Sequence, residues 1–179
     1  LQPDHQGIYA GFDVVEKLID YATRNFGTDR HHFFQCEGLE IPLDDAVTDA
    51  LTFFSVLTHL HHEESLIYLA EAARVVRPGG LLVCTYLDFD ANWDVFVDTT
   101  IARHQGNLVH ANVFMTEGII RKLVEAAGFD VVAVHGPRDL FITFDDDIEF
   151  DDEEPLAAGQ HSIAQGVCIA RRPGALPQG

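Results

Sequence analysis

Ala72-Ala73-Arg74-Val75-Val76-Arg77-Pro78-Gly79-Gly80-Leu81-Leu82-Val83-Cys84-Thr85-Tyr86-Leu87 changes its hydrophobic period part-way along. Upstream, Glu63 to Val76 carries apolar residues at helical spacing, with Leu66, Leu69, Ala70, Ala73 and Val76 on one face. Arg77-Pro78-Gly79-Gly80 stops that helix, because proline lacks an amide donor and glycine accepts the left-handed backbone that ends helices. Leu81 to Leu87 is then nearly unbroken apolar sequence, expected of a strand covered on both faces.

The same alternation extends both ways. Ala50 to Leu57 is another continuous apolar run, expected to be a strand buried on both faces. Ile8 to Asp13 reads as a short buried strand ending in an acid. Val14 to Phe26 follows with Val14, Leu18, Tyr21 and Ala22 at helical spacing, and Gly27 ends it. His32 to Cys36 reads as a strand and Glu40 to Asp45 as a loop. Downstream, Thr116 or Met115 opens a helix to Ala127, with Glu117 in its first turn and Gly128 closing it. Phe129–His135 and Ala164–Ala170 read as two further strands. Strands alternating with helices imply an α/β, doubly wound, mostly parallel sheet. The last two strands have no helix between them, so they are expected to pair as an antiparallel hairpin. No repeat or linker divides the chain, so residues 1–179 are expected to form one domain, with an acidic loop over 145–160.

Charge bounds the partners. Eleven Lys and Arg against 29 Asp and Glu give a formal charge of −18, which repels phosphate backbones and anionic lipid. Nucleic-acid and membrane binding are disfavoured on that ground, and a small-molecule substrate is expected. No apolar run approaches the roughly 18 residues of a membrane span, and no secretory leader is visible at Leu1. Cys36, Cys84 and Cys168 are scattered in apolar settings, which fits buried thiols in a reducing cytoplasm better than disulfides or a metal site. From Asp145 to Glu154 eight residues are acidic, expected to be a solvated or disordered loop; their spacing lacks the alternation of a calcium loop.

Four stretches in order carry a family resemblance: Tyr9–Asp13 with Leu18–Ala22, Phe34–Pro42, Thr48–Leu60, and Ala72–Leu82. Together they resemble the class I S-adenosylmethionine-dependent methyltransferases, which have a Rossmann-like fold, and the small-molecule branch in particular. The resemblance implies that these are the family's second, third, fourth and fifth strands with their adjoining segments. It implies S-adenosyl-L-methionine as cofactor, with Asp13 accepting from the ribose hydroxyls and Glu37, where the family usually shows Asp, accepting from the adenine amine. Gly38 would let the backbone approach the ring, Leu39 would pack on it, and Phe54 and Ser55 would wall the methionine side. Each role has a plainer rival: a helix N-cap for Asp13, an exposed loop acid for Glu37, a core residue for Phe54.

The family's Gly-rich turn after its first strand has no counterpart here, since Gly11 precedes Phe12-Asp13 of the second strand. The first strand and first helix are therefore expected to be missing, leaving two ladder edges without their usual neighbour. Weak or absent cofactor binding by the 179-residue chain follows as an expectation.

Methyl transfer needs alignment and a dry site more than acid–base groups, so no catalytic triad is expected and the catalytic residues stay unassigned. His59 is the best base candidate, though shaping of the loop before a helix is the preferred reading. His61-His62-Glu63-Glu64 lacks the four-residue spacing of a helical zinc site and reads as a helix start; His31-His32 reads as the start of a strand. Trp93, Phe96, Phe114, His104 and His110 lie in the segment that covers the substrate in this family. Core packing of a short helix is the preferred reading there, a substrate lid the sharper one. Two functions remain open: methyl transfer to a small molecule, or a non-catalytic remnant that keeps the scaffold.

Overall fold

A computed structural model describes residues 7–107, 112–148 and 155–174. The chain divides into two compact units, Leu1–Pro42 and Leu43–Gly179.

The first unit is one β-α-β crossover. Strand β1 (Tyr9–Asp13), helix α1 (Glu16–Phe26) and strand β2 (His31–Gln35) follow one another, and the crossover brings the strands parallel, from Tyr9 opposite His31 to Asp13 opposite Gln35. The expected apolar face of α1 is present but uncovered: the helix buries no residue, and Leu18 and Tyr21 are exposed. Two strands and one helix have too little surface to enclose one another. For the same reason β1 is partly rather than fully covered. The strand expected to begin at His31-His32 does so.

The second unit holds β3 (Thr48–Phe53), a short 3-10 turn (Leu57–His59), α2 (His62–Val75), β4 (Val76–Asp88), α3 (Trp93–His104), β5 (Phe114–Met115), α4 (Glu117–Ala126), β6 (Asp130–His135), β7 (Ile142–Phe144), β8 (Gly159–His161) and β9 (Gly166–Arg171). Its main sheet runs β3-β4-β9-β6, with β5 pairing the far end of β4. β4 is parallel to β3 and β5, whereas β9 is antiparallel to both β4 and β6. This is the α/β, Rossmann-like arrangement expected, with the last long strands antiparallel neighbours. The segment between them, expected to be a loop, carries a hairpin of its own, β7-β8. Of the acidic stretch, Asp145–Ile148 is described: Asp147 accepts from the Ala158 amide and Ile148 pairs Leu156. Residues 149–154 lie outside the described residues.

Helix α2 ends at Val75, but Arg77–Gly80 does not simply break the chain. Val76 already pairs Thr48 and Leu81 pairs Ala50, so the four residues between bulge out of one continuous strand. Gly79 takes a φ of +83°, and its amide bonds to the Arg172 carbonyl while the Arg172 amide bonds to that of Gly80. The buried face of α2 is Ser65, Leu69, Ala72 and Val75, rotated from the expected face; Leu66 is exposed. β3 also departs from expectation: it ends the sheet, and Ala50 and Thr52 are exposed. Thr116 caps α4, its hydroxyl accepting from the Ile119 amide, and Gly128 follows in the left-handed region. All three cysteines are buried.

Inside β9, Gly166 sits against the ring of Tyr86, which is 2% exposed, and a Cβ there would overlap ring carbons. Gly166→Ala is expected to cost about 1–3 kcal/mol, at roughly 2–4 °C of thermal midpoint for each of them. A calorimetric scan with an unchanged midpoint would contradict this packing.

Candidate functional site

The first unit presents one rim at the carboxyl ends of its strands. Asp13 is the last residue of β1, and its carbonyl accepts the Cys36 amide at 3.0 Å. Glu37 follows Cys36, so both acids leave parallel neighbours at the same end. Gln35 adds a tie across the rim, its Nε2 donating to the Val14 carbonyl at 3.1 Å. Asp13 Oδ1 accepts the Val15 amide at 2.8 Å. The N-cap of α1 is Val15, so Asp13 shapes the turn into the helix without being the cap. A carboxylate has about four lone-pair positions, and one bond does not exhaust it. Gly38 adopts a φ of +68°, a conformation that favours glycine, with open space where a Cβ would stand. Leu39 is half-buried and Glu37 exposed.

The second unit has its own rim at the end of β3. Phe53 is buried and stacks on Tyr68 with 4.6 Å between centroids, whereas Phe54 is 64% exposed, so Phe54 is no core residue. Ser55 takes a φ of +55°, a strained value for a residue with a Cβ. Three bonds hold it there: its amide donates to Thr85 Oγ1 at 2.8 Å, its carbonyl accepts from Thr58 Oγ1 at 2.9 Å, and its Oγ accepts from Gln165 Nε2 at 2.8 Å. Thr58 and Thr85 are each 2% exposed, so these bonds are sheltered from water. Gln165 follows Ala164, itself at φ +57°, and its Oε1 is buried without a partner among the described residues. Gln165, Thr58, Thr85 and Ala164 were not singled out in the sequence, because nothing in a Ser-Val or Ala-Gln pair announces a left-handed backbone.

The histidines resolve mostly into structure. His59 closes the 3-10 turn. His61 is the N-cap of α2, with Glu64 accepting its amide at 2.7 Å, and His62 Nε2 lies 3.3 Å from the Phe114 carbonyl. Among the described residues no group of His, Cys, Asp and Glu could hold a metal ion. His104 ends α3, and His110 lies outside the described residues. Trp93 and Phe96 do sit one helical turn apart in α3, but that helix buries nothing and Trp93 is 51% exposed, so the core-packing reading fails. Burial pushes the Tyr86 phenol up to about 12, helped by Asp88 and Glu117.

A family model described as a methyltransferase domain matches residues 2–84. The fold recurs in a methyltransferase dependent on S-adenosylmethionine from Methanosarcina mazei, at 16% identity and a TM-score of 0.65, covering 93% of this chain and 82% of that one. Just under half of the chain thus matches a methyltransferase-domain model, and its fold is that of class I methyltransferases. Magnesium protoporphyrin IX methyltransferase from Synechocystis, solved with S-adenosylhomocysteine bound, aligns at 14% identity and a TM-score of 0.60, covering 92% of this chain and 64% of that one. The cyclase SpnF aligns at 15% identity and a TM-score of 0.60, covering 96% of this chain and 69% of that one. One fold thus carries different chemistries. No helix among the described residues is long and apolar enough to cross a membrane.

Ser55 separates strain from bonding. Ser55→Ala keeps the left-handed strain and strips the remaining partner from Gln165, whereas Ser55→Gly also relieves the strain. Urea denaturation is expected to find Ser55→Ala less stable than Ser55→Gly by about 1 kcal/mol or more. Equal stabilities would contradict a strained Ser55.

Proposed function

We propose that this domain transfers a methyl group from S-adenosyl-L-methionine to a small-molecule acceptor. The observation that carries the reading is the shared rim of Asp13 and Glu37 at the ends of two parallel strands, the edge where wound sheets take their ligands. Asp13 would accept from the ribose hydroxyls and Glu37 from the adenine amine, with Gly38 and Leu39 against the ring. The bound cofactor would supply an electrophilic sulfonium methyl; the residues named bind, orient and exclude water. No side chain is assigned as a general base. One family model spanning residues 2–84 crosses the division at Pro42, which supports reading both units as belonging to a single methyltransferase domain. The net charge of −18 argues against a nucleic-acid acceptor or a membrane partner, and three scattered, buried cysteines fit a reducing, cytoplasmic setting.

A second reading is a scaffold that keeps the fold without binding the cofactor. Ligand-observed saturation-transfer NMR distinguishes the two, because it registers weak complexes. S-adenosylhomocysteine is expected to receive transfer at its adenine and ribose protons, with affinity weaker than micromolar. Asp13→Asn should weaken that binding about tenfold, the scale of one charge-assisted hydrogen bond. No transfer at large ligand excess would overturn the cofactor reading in favour of the remnant.

A further inference from the structure

The aromatic cluster beyond β4 has a composition that points to a ligand class. Phe89 meets Trp93 edge-on with 5.6 Å between centroids and Phe96 at 5.1 Å; Phe96 lies 5.5 Å from both Trp93 and Phe114. Four rings linked by such contacts would ordinarily be core, yet Trp93 is 51% exposed. β4 ends at Asp88, one residue before Phe89, and β5, which contains Phe114, pairs that end in parallel. The rings therefore stand at the carboxyl edge of parallel strands, where ligands dock in such sheets.

The charge along this segment of chain has one sign. Asp88, Asp90, Asp94 and Asp98 fall in this segment, and no Lys or Arg occurs between Arg77 and Arg103. Asp88 closes the turn, its Oδ1 accepting the Ala91 amide at 2.9 Å. Asp94 and Asp98, four apart on α3, share one helical face beside that of Trp93. Arg121, on α4, is engaged by Glu117 at 2.7 Å.

We propose that this surface is the acceptor subsite and that the acceptor is a cationic amine, held against the ring faces and answered by Asp90, Asp94 and Asp98. The proposal rests on the methyl-transfer reading and names its substrate class. An ammonium is drawn to the electron-rich faces of aromatic rings and to carboxylates alike. A neutral acceptor gains from neither, and an anionic one is repelled by the acids. The bound ammonium gives its extra proton to solvent. The nitrogen lone pair then forms the new N–C bond as the C–S bond breaks, with the electron pair staying on sulfur, and the methylated product is again a cation.

Trp93 is the only tryptophan of the chain, so its emission reports on this surface alone. The full chain is titrated at constant ionic strength with choline, a product-like ammonium, and with 3,3-dimethylbutan-1-ol, its uncharged isostere. Choline is expected to change the emission saturably and to bind about tenfold more tightly than the alcohol. The double variant Asp94→Asn, Asp98→Asn should lose that preference while keeping the thermal midpoint. Equal binding of the two probes, or no saturable response to choline, overturns the amine assignment. S-adenosylhomocysteine transfer that persists when choline fails leaves the methyl-transfer reading standing; choline binding without it supports the cation subsite and sinks that reading instead.

Discussion

The antiparallel ladder between β4 and β9 is the interaction on which the second unit depends. It runs from Leu81 opposite Arg171 to Tyr86 opposite Gly166, and β6 pairs the other side of β9. A strand with partners on both sides has its backbone groups satisfied in the ladder, away from water. At one end of this ladder the Arg172 amide and carbonyl hold Gly79 and Gly80, and the Arg172 guanidinium donates to the Val76 carbonyl. At the other end Gly166 lets Tyr86 close over it, and the preceding Gln165 reaches Ser55. The same ladder therefore closes the core and braces the rim at the end of β3.

That brace links strain to position. Ser55 would relax out of the left-handed region if its three bonds were loose, but two of the partners are buried threonines and the third is anchored by the start of β9. A residue held this way just after Phe54 fixes the turn leaving β3, and with it the direction in which the chain passes toward α2. Strain retained at the carboxyl edge of a parallel strand fits a binding rim better than an accident of packing.

The period of the sequence made much of this legible. Leu81–Leu87 could only be a covered strand, and Thr116 with Gly128 marked both ends of α4 to within a residue. Three features escaped for physical reasons. The face of α2 was misplaced because Ala and Leu occur all round that helix, so small residues such as Ser65 and Ala72 decide its buried side by fit. The β7-β8 hairpin is three residues a side and has too few alternating positions to register. Gln165 and Ser55 meet across 110 positions of sequence, a contact no local pattern encodes. At the proposed cofactor rim, Asp13 ends one parallel strand and Glu37 lies two residues past the end of the next, an order visible in the sequence; the aromatic surface at α3 was readable as a cluster but not as an exposed one.

Amide hydrogen exchange tests the arrangement most directly. With β9 between β4 and β6 and β3 at the end of the sheet, the amides of Val167–Ala170 should exchange slowest in the chain, and β3 should show alternate protected and fast-exchanging amides. Uniform protection along β3, or fast exchange in β9, would contradict this account.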